Sequence, residues 1–343
     1  MYEKYAKKYE IPMNVIDGLY NADRKLNFID EQYGNQKQEA IEVIARFFNN
    51  IGDIEQKKGK DLLDFNIIEI ESIFTTLKIA VRGTFNNRKN IIKKYFEWGI
   101  RRKYIPINTL DIFNSLVFDH IFDQNNLKSK YFKNVEDLFD CLMTIVKTSD
   151  SEDAHRYDTV MCAILLIWCG ISTSDVCTLK IEDVDLNQRI VKLDKKYILP
   201  KSVCDFIFEF LSTTSYAGYK KGSKGKVYYY KDTGYLLRTT TNSSIICYSQ
   251  SGLQSRISTW FTKGISELNE NNDYYNHSLY LKDVRDSGFF TRLYEYNREN
   301  NISIKDIDKS MFLTLKYDNE ITDQNMSNYI DLFVLWKQSF YGV

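Results

Sequence analysis

The chain has 343 residues, enough for about two domains, and its 46 Lys+Arg balance 46 Asp+Glu, so no net charge points to a partner. With 43% hydrophobic and 27% charged residues it folds around real cores and is not a disordered chain. Only three prolines interrupt it, which favours long helices because proline breaks helix interiors.

The N-terminus, MYEKYAKKYEIP, carries charge and no apolar signal region, so a cytoplasmic location is expected. Residues 1–35 read as a polar lead-in. From Gln36 a helical pattern begins, with Ala40, Ile41, Val43, Ile44, Phe47 and Phe48 at spacings of three and four. Gly52 and the stretch QKKGKD mark a turn. Further helices are expected over 67–80, 84–103 and 110–122, with Pro106 ending the second. They complete a bundle of four or five helices. DQNNLKSK, residues 123–130, is the best linker in the chain.

Beyond it, residues 135–147 form an amphipathic helix. VMCAILLIWCGI, residues 160–171, is the longest apolar run. It falls short of the roughly 20 residues of a membrane span and reads as a buried helix ending at Gly170. Cys162, Cys169 and Cys177 lie in or just after it. They read, with Cys141, Cys204 and Cys247, as buried reduced thiols. His120, His155 and His277 have no ligand spacing, so neither a metal nor a cofactor is expected. A short helix over 174–179, a β-hairpin in RIVKLDKKYILP and a helix opened by Pro200 follow. VYYY and YLLRTT are strand-like, and the chain is helical again from about Ser251 to Asn300.

Neutrality hides a local excess. Between Lys78 and Lys103 stand nine basic residues, including Arg82, Arg88, Lys89, Lys93 and Lys94, against Glu97 as the one acid. Asn86 and Asn87 are interleaved with them. Such a stripe is the electrostatic footprint of phosphate binding, and amides between the charges can reach base edges. A solvated helix face is the alternative. A weaker basic stretch runs from Lys220 to Arg238.

The order of these elements resembles the tyrosine recombinases, the phage integrases. TFNNRKNIIKKYFEWGIRRKYI is similar to their core-binding domain through Phe96, Trp98, Arg101, Arg102, Tyr104, Ile105 and Asn108. CGISTSDVCTLKIEDVDL follows their G-L-R-x-S-E-L-x-x-L-x-x-x-D-V/I-D segment. SGLQSRISTWF resembles their DNA-contacting helix, KDVRDSGFFTRL their H-x-L-R-H-S-F-A-T-x-L and MSNYIDLF their T-x-x-Y. The resemblance covers about residues 36–335. It implies a mostly α protein with a small β-sheet (α+β). A helical core-binding domain would span 1–124 and a catalytic-like domain 125–343.

The family transfers a DNA phosphoryl group to a tyrosine, with two arginines neutralising the phosphorane and histidine and lysine moving protons. Here that set is broken. The first arginine falls on Ser172, the first histidine on Lys282 and the next histidine on Asp286, while the second arginine survives as Arg285. The hairpin lysine falls on Lys195 or Lys196. The Gly-His pair before the nucleophile falls near Asn319 and Glu320, and the nucleophile on Tyr329. Losing one such donor typically costs roughly 10²–10³ in rate, so no catalytic residue is expected to work, although Arg256 or Arg292 could reach in as substitutes.

The resemblance therefore implies double-stranded DNA as partner, with Arg82, Asn86, Asn87, Arg88, Lys89, Lys93 and Lys94 on one contacting helix. Gln254, Ser255, Arg256, Ser258 and Lys263 would lie on another, and Arg285 would hold a phosphate. It also resembles the integrase-like master repressors of SPbeta-type prophages. Self-association and a phage-encoded regulatory protein are further candidate partners, and a membrane is not. The apolar tail YIDLFVLWKQSF is expected to dock on its own domain. An active but divergent recombinase is the alternative.

Overall fold

The computed structural model describes residues 2–79, 82–122, 124–148, 154–217, 226–271, 280–316 and 323–342. The chain is mostly helical with a small sheet, and divides into two compact units, Met1–Asn126 and Leu127–Val343.

Unit 1 contains α1 (Glu3–Tyr9), α2 (Met13–Asp17), α3 (Ala22–Tyr33), α4 (Gln38–Lys58), α5 (Ile67–Thr76), α6 (Arg82–Arg101), α7 (Ile112–Ser115) and α8 (Phe118–Ile121), while α9 (Gln124–Lys128) spans the division. The first 35 residues are not a lead-in. They form three helices that bury Tyr9, Val15, Ile16, Leu26, Phe28 and Ile29. Two of these helices have seven and five residues, too short for a periodic pattern to stand out.

Gly52 does not mark a turn either. It lies inside α4, where any Cβ would strike the backbone carbonyl of Gly18, and α4 runs on to Gly59, which caps it at φ 65. The expected helix over 110–122 is broken between α7 and α8, where Leu116 and Val117 are extended. The Leu116 carbonyl accepts Lys89 Nζ at 2.7 Å rather than an intrahelical N–H. The expected linker contains α9 and the fully buried Leu127, while Asp123 lies outside the described residues.

The core of unit 1 is aromatic. Phe28 meets Phe48, Tyr95 and Trp98 edge-on, with centroids 5.0–5.8 Å apart. Such pairs add to burial energy because ring edges and faces carry opposite partial charge.

Unit 2 continues with α10 (Val135–Thr148), α11 (Asp158–Trp168) and α12 (Thr173–Thr178). The antiparallel sheet β1 (Val184–Asp185), β2 (Ile190–Lys192) and β3 (Lys196–Ile198) follows, with Val191 facing Tyr197, then α13 (Lys201–Ser212). Pro200 caps α13 rather than opening it. The antiparallel pair β4 (Ser215–Ala217) and β5 (Val227–Tyr229) precedes α14 (Gln250–Asn271), α15 (Leu281–Asn300), α16 (Lys309–Lys316) and α17 (Asp323–Tyr341).

Helix α11 is buried from Met161 to Trp168 and forms the axis of the unit. Gly288 lets α15 approach it, since a Cβ there would enter the Trp168 carbonyl. YLLRTT forms no strand. Leu236 and Leu237 both face inward, which breaks the two-residue alternation of a strand, and only isolated bridges form at Tyr235 and Thr240. Arg238 instead donates to the Phe210 and Leu211 carbonyls at the end of α13.

The tail docks on its own unit. Phe333 and Trp336 are buried, and Trp336 Nε1 donates to the Phe132 carbonyl at 3.0 Å. All six cysteines are free; five are buried, and burial pushes the Cys141 and Cys169 thiols up to about 12. Among the described residues no helix is long and apolar enough to cross a membrane.

Candidate nucleic-acid interface

Helix α6 turns Phe85, Ile92, Tyr95, Phe96 and Trp98 inward. That fixes what its other face presents, and the structure divides the basic stripe in two. Arg82 pairs with Asp119 at 2.7 Å and lies over the Phe118 ring. Arg88 is half-buried over the Phe47 ring, and burial holds its guanidinium below the usual range. Lys89 is half-buried and tied to Leu116. Burial and the neighbouring Lys93 lower its ammonium. Toward the C-terminus, Arg101 donates to Gln32 Oε1 at 2.8 Å and Arg102 donates to Glu31. The exposed remainder in the middle of the helix is Asn86, Asn87, Asn90, Lys93 and Lys94. Three of the expected contact residues, Arg82, Arg88 and Lys89, thus also hold α6 to its unit. Asn90, absent from the expected set, joins the face.

Helix α14 buries Leu253, Ile257, Trp260 and Phe261 and exposes Gln254, Ser255, Arg256, Ser258 and Lys263. All five expected residues are exposed, spread over roughly 200° of the helix. Arg256 Nη1 donates to the Tyr248 hydroxyl at 2.9 Å and its guanidinium lies over that ring.

The positions aligned with a catalytic set are only partly brought together. Ser172 is the N-cap of α12: its Oγ accepts from the Asp175 N–H at 3.1 Å and donates to the Asp175 carboxylate at 2.7 Å. Lys195 lies in the β2–β3 turn and Lys196 opens β3. On α15, Lys282 and Arg285 are exposed while Asp286, one residue on, is buried. The Tyr329 hydroxyl donates to Asp286 Oδ1 at 3.2 Å. Tyr329 packs edge-on against Phe289 and Phe290, and Lys316 Nζ sits 4.6 Å from its ring centre.

Burial raises the Asp286 carboxyl, against the pull of Arg285, Lys282 and Lys316. Burial also raises Asp283, one turn earlier, to about 6, with Lys130 pulling it down and Asp286 pushing it up. The two substitutes are committed elsewhere. Arg256 holds Tyr248, and Arg292 donates to the Trp168 and Leu315 carbonyls. Asn319 and Glu320 lie outside the described residues, as does much of the weaker basic stretch from Lys220.

Residues 19–101 match the family model described as MrpR, N-terminal core-binding domain. No curated protein matches the chain. Among solved structures, the chain is similar to XerA recombinase at 13% identity, covering 93% of this chain and 98% of that one with a TM-score of 0.38. It is also similar to the Tn1549 transposon integrase in complex with transposon right end DNA, at 13% identity over 92% and 99% of the two chains with a TM-score of 0.35. A second complex of that integrase, with circular intermediate DNA, gives 14% identity over 88% and 97% with a TM-score of 0.32. Likeness at this level carries no information about function.

Two members of the cluster around Tyr329 were not singled out in the sequence. Asp283 sits at the i−3 position to Asp286 on the same helix, so the acidic pair was readable from KDVRD. Lys316 comes from α16, and no local signal links it to Tyr329.

Proposed function

We propose that this chain is a sequence-specific double-stranded DNA-binding protein with the domain organisation of a tyrosine recombinase. It holds DNA without cutting it and acts as a cytoplasmic transcriptional repressor that maintains prophage lysogeny. The order of motifs along the chain and the core-binding match over residues 19–101 support the organisation.

The observation that carries the non-cutting half is the bond from Tyr329 to the buried Asp286. A phosphorane needs donors and positive charge around it. At this position the chain supplies a carboxylate that accepts hydrogen bonds and repels a phosphate. Ser172, in place of the first arginine, is occupied in capping α12. Arg285 remains exposed and serves as a phosphate clamp without chemistry. On this reading the outer faces of α6 and α14 contact the duplex.

The test uses the full chain and fragmented genomic DNA near physiological salt, with the retained fragments sequenced. Expected are many similar sites overlapping promoters, and log K falling with log[salt] at about −0.9 per phosphate contacted. A flat salt dependence removes the DNA-binding reading. A covalent adduct on a nicked bound site, abolished in Tyr329→Phe, removes the non-cutting half and reinstates a divergent active recombinase.

A further inference from the structure

The exposed face of α6 carries a pattern that net charge does not explain. At 100° per residue, Asn86, Asn87, Asn90, Lys93 and Lys94 fall within an arc of roughly 120°. All five are exposed, and none of the three amides has a hydrogen-bond partner among the described residues. Asparagine is a poor residue in a helix interior, because its side chain competes for the backbone. Three of them within five positions, where Glu, Lys or Gln would favour the helix, point to a use other than stability.

Equally telling is where the arginines go. Arg82 is held by Asp119, Arg88 lies over Phe47, and Arg101 and Arg102 are held by Gln32 and Glu31. No arginine is left exposed in the middle of the face. The two base-edge readers differ in chemistry. Arginine pairs its fork with the two acceptors of guanine, whereas the asparagine amide, one donor beside one acceptor, matches N6 and N7 of adenine. Lysine, a compact point charge, suits phosphate. Glu97 lies on the same side toward the C-terminal end of the helix and would repel phosphates there, placing the contact over the N-terminal half of α6.

From this arrangement we infer that α6 reads adenines in the major groove through Asn86, Asn87 and Asn90, and that Lys93 and Lys94 fix its register on the backbone. The operator half-site beneath α6 is A·T-defined. This inference rests on the proposed DNA-binding function and names what that surface recognises.

The experiment is selection from a randomised duplex library by the full-length chain, run in parallel with Asn86→Ala, Asn90→Ala and Lys93→Ala. These positions are exposed, so the variants keep the fold, and their thermal midpoints verify it. Expected is a site with fixed A·T pairs, at which Asn86→Ala and Asn90→Ala each relax one position by roughly 10- to 100-fold, the discrimination of one lost bidentate pair. Lys93→Ala should weaken all sequences alike and lower the salt slope by about 1. If the asparagine variants select the wild-type site unchanged, or the fixed positions are G·C, the inference is overturned while DNA binding stands. If the wild-type chain enriches nothing and retains no duplex at low salt, the underlying reading fails instead.

Discussion

Each unit of this chain buries carboxylates, and the two units surround them differently. In unit 1, Lys25 Nζ sits 2.6 Å from Glu55 and 3.2 Å from Asp61, all three almost fully buried, and the Tyr95 hydroxyl donates to Asp61. Burial prevails at Glu55 and raises it to about 7, while at Asp61 Lys25, the Leu63 N–H and Asn21 outweigh burial and hold the carboxyl below the usual range. In unit 2, Asp286 is as deeply buried and faces a phenol, and of the cations that act on it Lys282 and Arg285 are exposed while Lys316 is buried. Burial prevails there and the carboxyl is raised. The first cluster ties α3 and α4 to Tyr95 of α6, the helix that carries the asparagine face. The second includes the hydrogen bond from Tyr329 to Asp286, with Lys316 over the phenol ring.

The sharpest way to break this contrast is to remove the buried cation. Lys25→Met leaves Glu55 and Asp61 with the partly exposed Arg24, 3.6 Å from Asp61, as their remaining counter-charge, and breaking one side of a buried pair costs about 3–5 kcal/mol. Urea denaturation should show unit 1 losing most of its stability, and duplex binding through α6 should fall with it. A loss under about 1 kcal/mol would mean that the cluster is not structural. Gly288→Ala is the corresponding blow to unit 2. Its Cβ meets the Trp168 carbonyl, which belongs to the end of the axial helix and does not move freely. Overpacking of this kind costs about 1–3 kcal/mol, and the loss should appear only in the transition of unit 2.

The Tyr329–Asp286 bond should prove weak beside these. Tyr329→Phe keeps the ring contacts with Phe289 and Phe290 and removes one hydrogen bond, at a cost of about 1 kcal/mol. Specific duplex affinity should stay within a few-fold. A large stabilisation on this substitution would show that the hydroxyl is strained against Asp286, and the bond would then not be a settled structural contact.

What could be read from the sequence depends on how locally each feature is encoded. The inward side of α6 is set by three- and four-residue spacing, whereas Gln254, Ser255, Arg256, Ser258 and Lys263 are named through the family resemblance and all prove exposed. The fate of Arg82, Arg88 and Lys89 was not readable, because their partners Asp119, Phe47 and Leu116 are distant in the chain. Gly52 misled for a related reason. A glycine that admits a neighbouring backbone and one that ends a helix look alike in one dimension. The residue types at Ser172, Lys282, Asp286 and Tyr329 were visible, but the pairing of Asp286 with Tyr329 requires α15 and α17 to meet.

The smallest expected effect, and the most specific to the second cluster, is in the pH dependence of Asp283. Its carboxyl is raised to about 6 by burial, with Lys130 and Lys282 opposing and Asp286 reinforcing. A carboxyl whose folded value lies above its unfolded one keeps its proton in the native state after the unfolded chain has released it. The native state therefore binds more protons between about pH 4 and 6, and stability falls as pH rises through that window. Asp283→Asn cannot ionise, so it should gain on the wild type from about pH 4 to 6 and hold a constant advantage above. Asp286, raised in the same direction, stays in both chains and enters the difference through its coupling to Asp283. Thermal midpoints at half-unit intervals measure it. Parallel curves would confine the strain to Asp286 alone, and the second cluster would shrink to a single carboxyl and its tyrosine.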